Sequence, residues 1–150
     1  MNLNTILIRD GYTKIKLKKI NTNHFEIKAK LNGVKGRFIL DTGASNSCIE
    51  INLAEKFKLV VEDSETKAAG AGAIDIETKI SIKNKLKISK WRYYNVNIVL
   101  LDLTHVNTAL TEHKAEAVDG ILGADILEIG KAIIDYKKHC VYLKKLVYKH

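Results

Sequence analysis

The dominant spacing of apolar and polar positions along the chain is two. Thr13-Lys14-Ile15-Lys16-Leu17-Lys18 alternates, and so does Phe25-Glu26-Ile27-Lys28-Ala29-Lys30-Leu31. Ile74-Asp75-Ile76-Glu77 and Ile80-Ser81-Ile82-Lys83 repeat the pattern. Successive side chains of a strand point to opposite faces, so each run predicts a strand with one buried face. Asn32-Gly33 between two such runs is a strong hairpin signal, because both residues accept the positive φ of a tight turn. Asp10-Gly11 is a second candidate turn, and Asn84 with Lys85 predicts a third, between Ile82 and Leu86. Phe38-Ile39-Leu40 is continuously apolar and stops abruptly at Asp41, which predicts a buried strand running into a turn.

Helical spacing is rarer. Apolar residues at 53, 54 and 57 predict a short helix between Ile51 and Leu59. Thr104 to Lys114 is a second, weaker candidate. Gly123 to Gly130 reads as a helix bracketed by glycines. Ala132 to Tyr136 and Val141 to Leu146 are the expected closing strands. Many short strands with one or two short helices indicate a mainly β, barrel-like fold.

Composition narrows this further. The 150 residues, 46% of them apolar, suit one domain with a real core. No stretch approaches the ~20 apolar residues of a membrane-spanning helix. Met1 to Asp10 lacks the apolar region and small-residue cleavage site of a secretory signal. Two cysteines, Cys48 and Cys140, make no disulfide framework, so the expected setting is the cytoplasm, with both thiols reduced and buried. The net charge of +8 is read as a solvated basic surface. Nucleic acid is not the expected partner, since no zinc finger or aromatic-and-glycine motif accompanies the charge. The histidines show no metal-ligand spacing, and no metal or organic cofactor is expected.

Asp41-Thr42-Gly43 is the candidate chemistry. A carboxylate after a buried strand needs hydrogen-bond donors or a partner sharing its proton. Thr42 has a hydroxyl, and Gly43 allows the backbone to turn its amides toward the carboxylate. Taken alone, the three residues fit equally an ordinary turn capped by Thr and Ser. Asp119 and Asp125 are read as structural, Asp125 because a carboxylate is favoured near a helix N-terminus. Cys48 is read as a buried thiol and not a nucleophile, and Trp91-Arg92-Tyr93-Tyr94 as a core or strand-edge cluster.

The wider context singles out one family. Phe38-Ile39-Leu40-Asp41-Thr42-Gly43-Ala44-Ser45 closely resembles the active-site loop of the retropepsin-like aspartic proteases. Asp119-Gly120-Ile121-Leu122-Gly123-Ala124-Asp125-Ile126-Leu127 resembles that family's C-terminal hallmark, and Ala132-Ile133-Ile134-Asp135-Tyr136 its closing strand. Ala68 to Ala73, with Gly70 and Gly72, falls where the family places its flap. The family-like core spans residues 31–143 of a single domain over 1–150. Residues 1–23 lie outside it, as an extension that covers the domain or adds strands.

The resemblance implies a closed acid-protease barrel and an aspartic endopeptidase. One Asp-Thr-Gly in a chain of this length implies a homodimer, with Asp41 of each copy forming the catalytic pair on a two-fold axis. It further implies that Thr42 hydrogen-bonds across the dimer and that Gly43 contacts the substrate backbone. Ala44 follows the retroviral style, from which a less acidic working range is expected. Ser45 and Asn46, with Gly70, Ala71 and Gly72 of the flap, are the expected substrate-binding residues. The expected partner is a peptide or protein substrate. The alternatives are a catalytically silent, dimeric peptide-binding module of the same fold and, further off, a basic nucleic-acid-binding protein.

Overall fold

Asn32 and Gly33 both take positive φ, 50° and 83°, and this turn sets the register of the hairpin that carries Asp41. The computed structural model describes residues 2–63, 68–69, 75–76 and 78–146. In chain order these form α1 (Leu3–Arg9), β1 (Tyr12–Lys16), β2 (Lys18–Lys19), β3 (Phe25–Leu31), β4 (Val34–Leu40) and β5 (Cys48–Glu50). A 3-10 turn (Ile51–Leu53) leads to β6 (Glu62–Asp63), β7 (Ala68–Ala69), β8 (Asp75–Ile76), β9 (Lys79–Ile88) and β10 (Trp91–Leu101). The rest is α2 (Thr104–Glu112), β11 (Gly120–Leu122), α3 (Ala124–Ile129), β12 (Ile133–Asp135) and β13 (Cys140–Lys144).

Six strands close a barrel in the order β3-β4-β11-β5-β10-β9, with β9 pairing back onto β3 through Lys30↔Lys87 and Leu31↔Leu86. Closure removes the exposed edges that an open sheet would leave. Most neighbours are antiparallel, but β4 with β11 and β5 with β10 are parallel. Side chains of Trp91, Phe38, Phe57, Ile27, Leu31 and Leu100 fill the core. Gly36 faces inward between the Phe38 and Phe57 rings, where a Cβ would stand 2.9 Å from each.

A second sheet, β1-β13-β12, joins the two ends of the chain. The indole Nε1–H of Trp91 donates to the Lys144 carbonyl at 2.9 Å and ties this sheet to the barrel. Helix α1 rests on it through Leu7, against Tyr142 and Cys140. Its N-cap is Asn2, whose side chain accepts from the Thr5 amide.

Several expectations hold. The Asn32-Gly33 hairpin, the Asp10-Gly11 turn, the strands Phe25–Leu31 and Phe38–Leu40, and helices α2 and α3 all form. Two do not hold as stated. Residues 51–59 make one 3-10 turn followed by turns, ended by Lys58 at φ 54°, instead of a helix. The turn expected at Asn84-Lys85 is a bulge inside the continuous β9, with Lys83 at φ 58° and register shifts against β10. That bulge changes which face looks inward: Ser81 is fully buried while Ile82 is 42% exposed, and Leu86 and Ile88 beyond it return to the core. Asn84 then turns inward, donating to the Ser81 and Val96 carbonyls. Helix α1 was not foreseen.

Candidate active site

Strand β4 runs through the barrel wall with Phe38, Ile39 and Leu40 all buried and delivers Asp41 half-exposed at its end. The parallel pairing with β11 continues one step past the strand, where the Asp41 amide donates to the Leu122 carbonyl at 2.9 Å. The chain then turns sharply. The Ala44 amide donates to the Asp41 carbonyl at 3.2 Å, and the Gly43 amide donates to Asp41 Oδ1 at 2.9 Å. The backbone thus bends so that an amide meets the carboxylate, as its sequence allows. Gly43 lies outside the left-handed region, so its contribution is room: a Cβ there would sit 3.3 Å from Asp41 Oδ1.

The far side of the loop is held by the segment around α3. The Ala124 amide donates to the Ala44 carbonyl at 2.7 Å. Gly123 must be a glycine for this approach, since a Cβ would lie 2.5 Å from that same oxygen. Ser47, which the sequence reading passed over, is the buried hinge of the loop. Its amide and hydroxyl donate to the two carboxylate oxygens of Asp125, and its hydroxyl oxygen accepts from the Gly123 amide. Asp125 therefore has a structural place, in the first turn of α3 as expected, and from there it also fastens Ser47. Asp119 is likewise occupied, accepting from the Arg37 amide at 2.9 Å and from Lys56 at 3.4 Å.

Around Asp41 the hairpin register brings in residues that were not singled out. Phe25 pairs with Leu40, so the next step outward sets His24 beside Asp41. A cavity of ≈180 Å³ is lined by Asp41 and Thr42 with Asn23, His24, Phe25, Ile134 and Tyr136. The register could have been read from the sequence: a two-residue loop at Asn32-Gly33 pairs 31 with 34, and counting outward pairs 24 with 41. On the other flank, Thr42 borders a second cavity of ≈330 Å³ with Ala124, Leu127, Lys131 and Ile134. Thr42, Gly43, Ser45 and Asn46 are exposed, and Ala44 is half-buried. Thr42 makes no side-chain hydrogen bond to the described residues. Gly70, Ala71 and Gly72 lie outside the described residues.

Cys48 sits behind the loop, and burial pushes its thiol up to about 11. The negative charges of Asp125 and Asp41 add to the rise, and a backbone hydrogen bond from Ile121 opposes it. It is a packed thiol with no nucleophilic role at neutral pH. The Asp41 carboxylate itself stands half-open to solvent at the first of these cavities. Among the described residues, no cluster of three or more His, Cys, Asp or Glu could hold a metal, and no helix is long and apolar enough to cross a membrane.

Comparison with known proteins agrees with this geometry. A family model described as aspartyl protease matches residues 27–126, two thirds of the chain, from β3 through the Asp41 loop into α3. No curated protein matches the sequence. Among solved structures, a retropepsin-like aspartic protease from Rickettsia conorii superposes with a TM-score of 0.57 at 20% identity, over 90% of this chain and 91% of that one. The retroviral protease-like domain of Ddi1 from Leishmania major gives 0.54 at 17% identity, over 81% and 93%. The EIAV protease, solved with the inhibitor HBY-793, gives 0.51 at 20% identity, over 69% and 84%. The barrel is thus shared with retropepsin-like enzymes, and the chain belongs to the aspartyl protease family.

Proposed function

We propose that the chain is an aspartic endopeptidase active as a homodimer, with Asp41 of each copy forming one catalytic pair. The observation that carries this reading is the placing of Asp41: half-exposed at the end of a buried strand, held by the Gly43 amide, and lining a cavity of ≈180 Å³. Peptide hydrolysis needs a base and an acid together. One carboxylate cannot be both at once, and Asp-Thr-Gly occurs once in the sequence. A second copy supplies the other carboxylate, and the two share a proton because like charges so close do not both ionise.

In the reaction, one Asp41 takes a proton from water as the water oxygen attacks the scissile carbonyl carbon. The protonated Asp41 of the second copy donates to the carbonyl oxygen. The tetrahedral intermediate then collapses as the nitrogen gains a proton and the C–N bond breaks. Exposed Thr42 is available to hydrogen-bond across the dimer. Gly43, Ser45 and Asn46 meet an extended substrate, and Gly70, Ala71 and Gly72 are the further substrate-binding residues of this reading. Such a peptide binds mainly through its backbone, and side-chain pockets set preference. The enzyme uses no metal or organic cofactor. Both cysteines are free and buried, which suits work in the reducing cytoplasm.

The test is cleavage of a mixed peptide library by wild type and Asp41→Asn between about pH 4 and pH 7, with oligomeric state followed in the same buffers. Activity that belongs to the dimer and disappears in Asp41→Asn is the expected result. A folded dimer that binds peptides but cuts none at any pH would replace the enzyme with a peptide-binding module.

A further inference from the structure

A larger cavity, ≈540 Å³, opens on the outer face of the barrel where β3, β4 and β9 meet. Lys28, Lys30, Lys35, Arg37 and Lys87 line it, with Asp119 as the one carboxylate among the described residues. The sheet register sets these charges against each other. Lys30 stands opposite Lys35 on one side and Lys87 on the other, and Lys28 stands opposite Arg37. Like charges directly across a sheet are destabilising.

Internal compensation reaches only part of this cluster. Arg37 pairs with Glu26 at 2.6 Å and with Glu116, and Asp119 is engaged by Lys56 and the Arg37 amide. Lys28, Lys30, Lys35 and Lys87 are exposed and form no ion pair with the described residues. Among the described residues, then, four ammonium groups around one concavity have no ion-pair partner, at a cost that a bound polyanion would remove.

The spacing favours one kind of polyanion. Lys28 and Lys30 are two residues apart on one strand, about 7 Å, with neighbouring strands about 4.8 Å away. Carboxylates on alternate residues of an extended peptide repeat at the same ~7 Å. Among the described residues no aromatic side chain lines the cavity, so these supply no platform on which single-stranded nucleic acids stack their bases. Lys35 precedes Asp41 by six residues on the strand that delivers it, about 20 Å away and within reach of some six extended residues.

We propose that this groove docks an acidic, extended segment of a protein substrate, one with Asp or Glu at alternate positions, outside the cleavage site. The docking itself is independent of catalysis; only its purpose rests on the protease reading.

The experiment uses the full chain carrying Asp41→Asn, so that nothing is cut. Fluorescence anisotropy follows a labelled Glu-Ser alternating peptide, a Lys-Ser peptide of the same length, and oligo-dT of matched charge, across a salt series. The expected result is salt-sensitive binding of the Glu-Ser peptide, weakened at least about tenfold in Lys30→Glu/Lys87→Glu. Circular dichroism and thermal melting confirm that this variant is folded; the 30/35 pair becomes attractive while the 30/87 pair stays like-charged, so little change in melting point is expected. Absence of Glu-Ser binding, or binding that the reversal leaves untouched, overturns the proposal. Tighter binding of oligo-dT, lost in the same variant, overturns it in favour of nucleic acid. A protein that binds the acidic peptide while its wild type cleaves nothing keeps the groove and loses the protease.

Discussion

Both oxygens of the Asp125 carboxylate are taken by Ser47, one by its amide at 3.0 Å and the other by its hydroxyl at 2.7 Å. Residues 78 positions apart are thereby joined directly behind the Asp41 loop. Charge-assisted hydrogen bonds are worth about 1.5–3 kcal/mol each, and a buried amide left without an acceptor costs about as much again. Asp125→Ala is therefore expected to lower stability by about 3 kcal/mol. Asp125→Asn, which keeps one acceptor, should lose roughly half of that. Urea denaturation measures both, and a midpoint for Asp125→Ala equal to wild type would remove this account of the loop.

Gly123 passes so close to the Ala44 carbonyl that a methyl group must displace backbone, not a flexible side chain. Overpacking of this kind costs about 1–3 kcal/mol. In Gly123→Ala the Ala124 amide, bonded to the Ala44 oxygen at 2.7 Å, should exchange with solvent markedly faster. Unchanged exchange at that one amide would show that the loop and α3 are not clamped as described.

Asn84 donates to two carbonyls and accepts from Asn32 at 3.0 Å, while Asn32 reaches the Phe57 carbonyl at 2.8 Å. Asn84→Ala strands these partners in the interior and is expected to cost about 2–3 kcal/mol. A surface turn, by contrast, would tolerate the change within about 0.5 kcal/mol. Thermal or urea unfolding of this single variant separates the bulge from the turn.

The Cys48 thiol titrates near 11 in the folded chain, against an ordinary value of 9.0. Because the folded value is the higher one, the stabilisation is fully present below about pH 9. It is lost as pH rises through about 11, at about 1.4 kcal/mol per unit. Stability of wild type should therefore fall more steeply than that of Cys48→Ala across this window. At pH 8 the thiol should resist alkylation in the native state and react on unfolding; rapid native labelling would contradict its burial.

Much of this arrangement is written locally. The Asn32-Gly33 turn fixes a hairpin whose alternation then places Asp41 at the strand end, and the apolar run before it announces a buried strand. What the pattern concealed depends on distant partners. Ser47 is a small polar residue among others, and only Asp125 and Gly123 make it a hinge. Ile80 and Ile82 read as an inward face, yet the bulge at Lys83 reverses the phase, since an inserted residue exchanges the two faces of a strand. Helix α1 has seven residues, about two turns, and a single buried residue, Leu7, too brief for its period to stand out. No metal-ligand spacing marks His24 in the sequence, and its relation to Asp41 comes from hairpin register.

The parallel pairing of β4 with β11 also bears on how the molecule comes into being. The Asp41 amide finds its acceptor at Leu122, and the loop finds its anchors at Gly123, Ala124 and Asp125. A hairpin such as β3-β4 closes over two residues, whereas this contact must close a loop of some eighty, and such non-local pairings form late. During synthesis the Asp-Thr-Gly segment leaves the ribosome early but has nothing to rest on until α3 follows. The Asp41 loop is thus among the last parts of the fold to acquire its shape, so the nascent chain carries its carboxylate long before it carries the geometry around it.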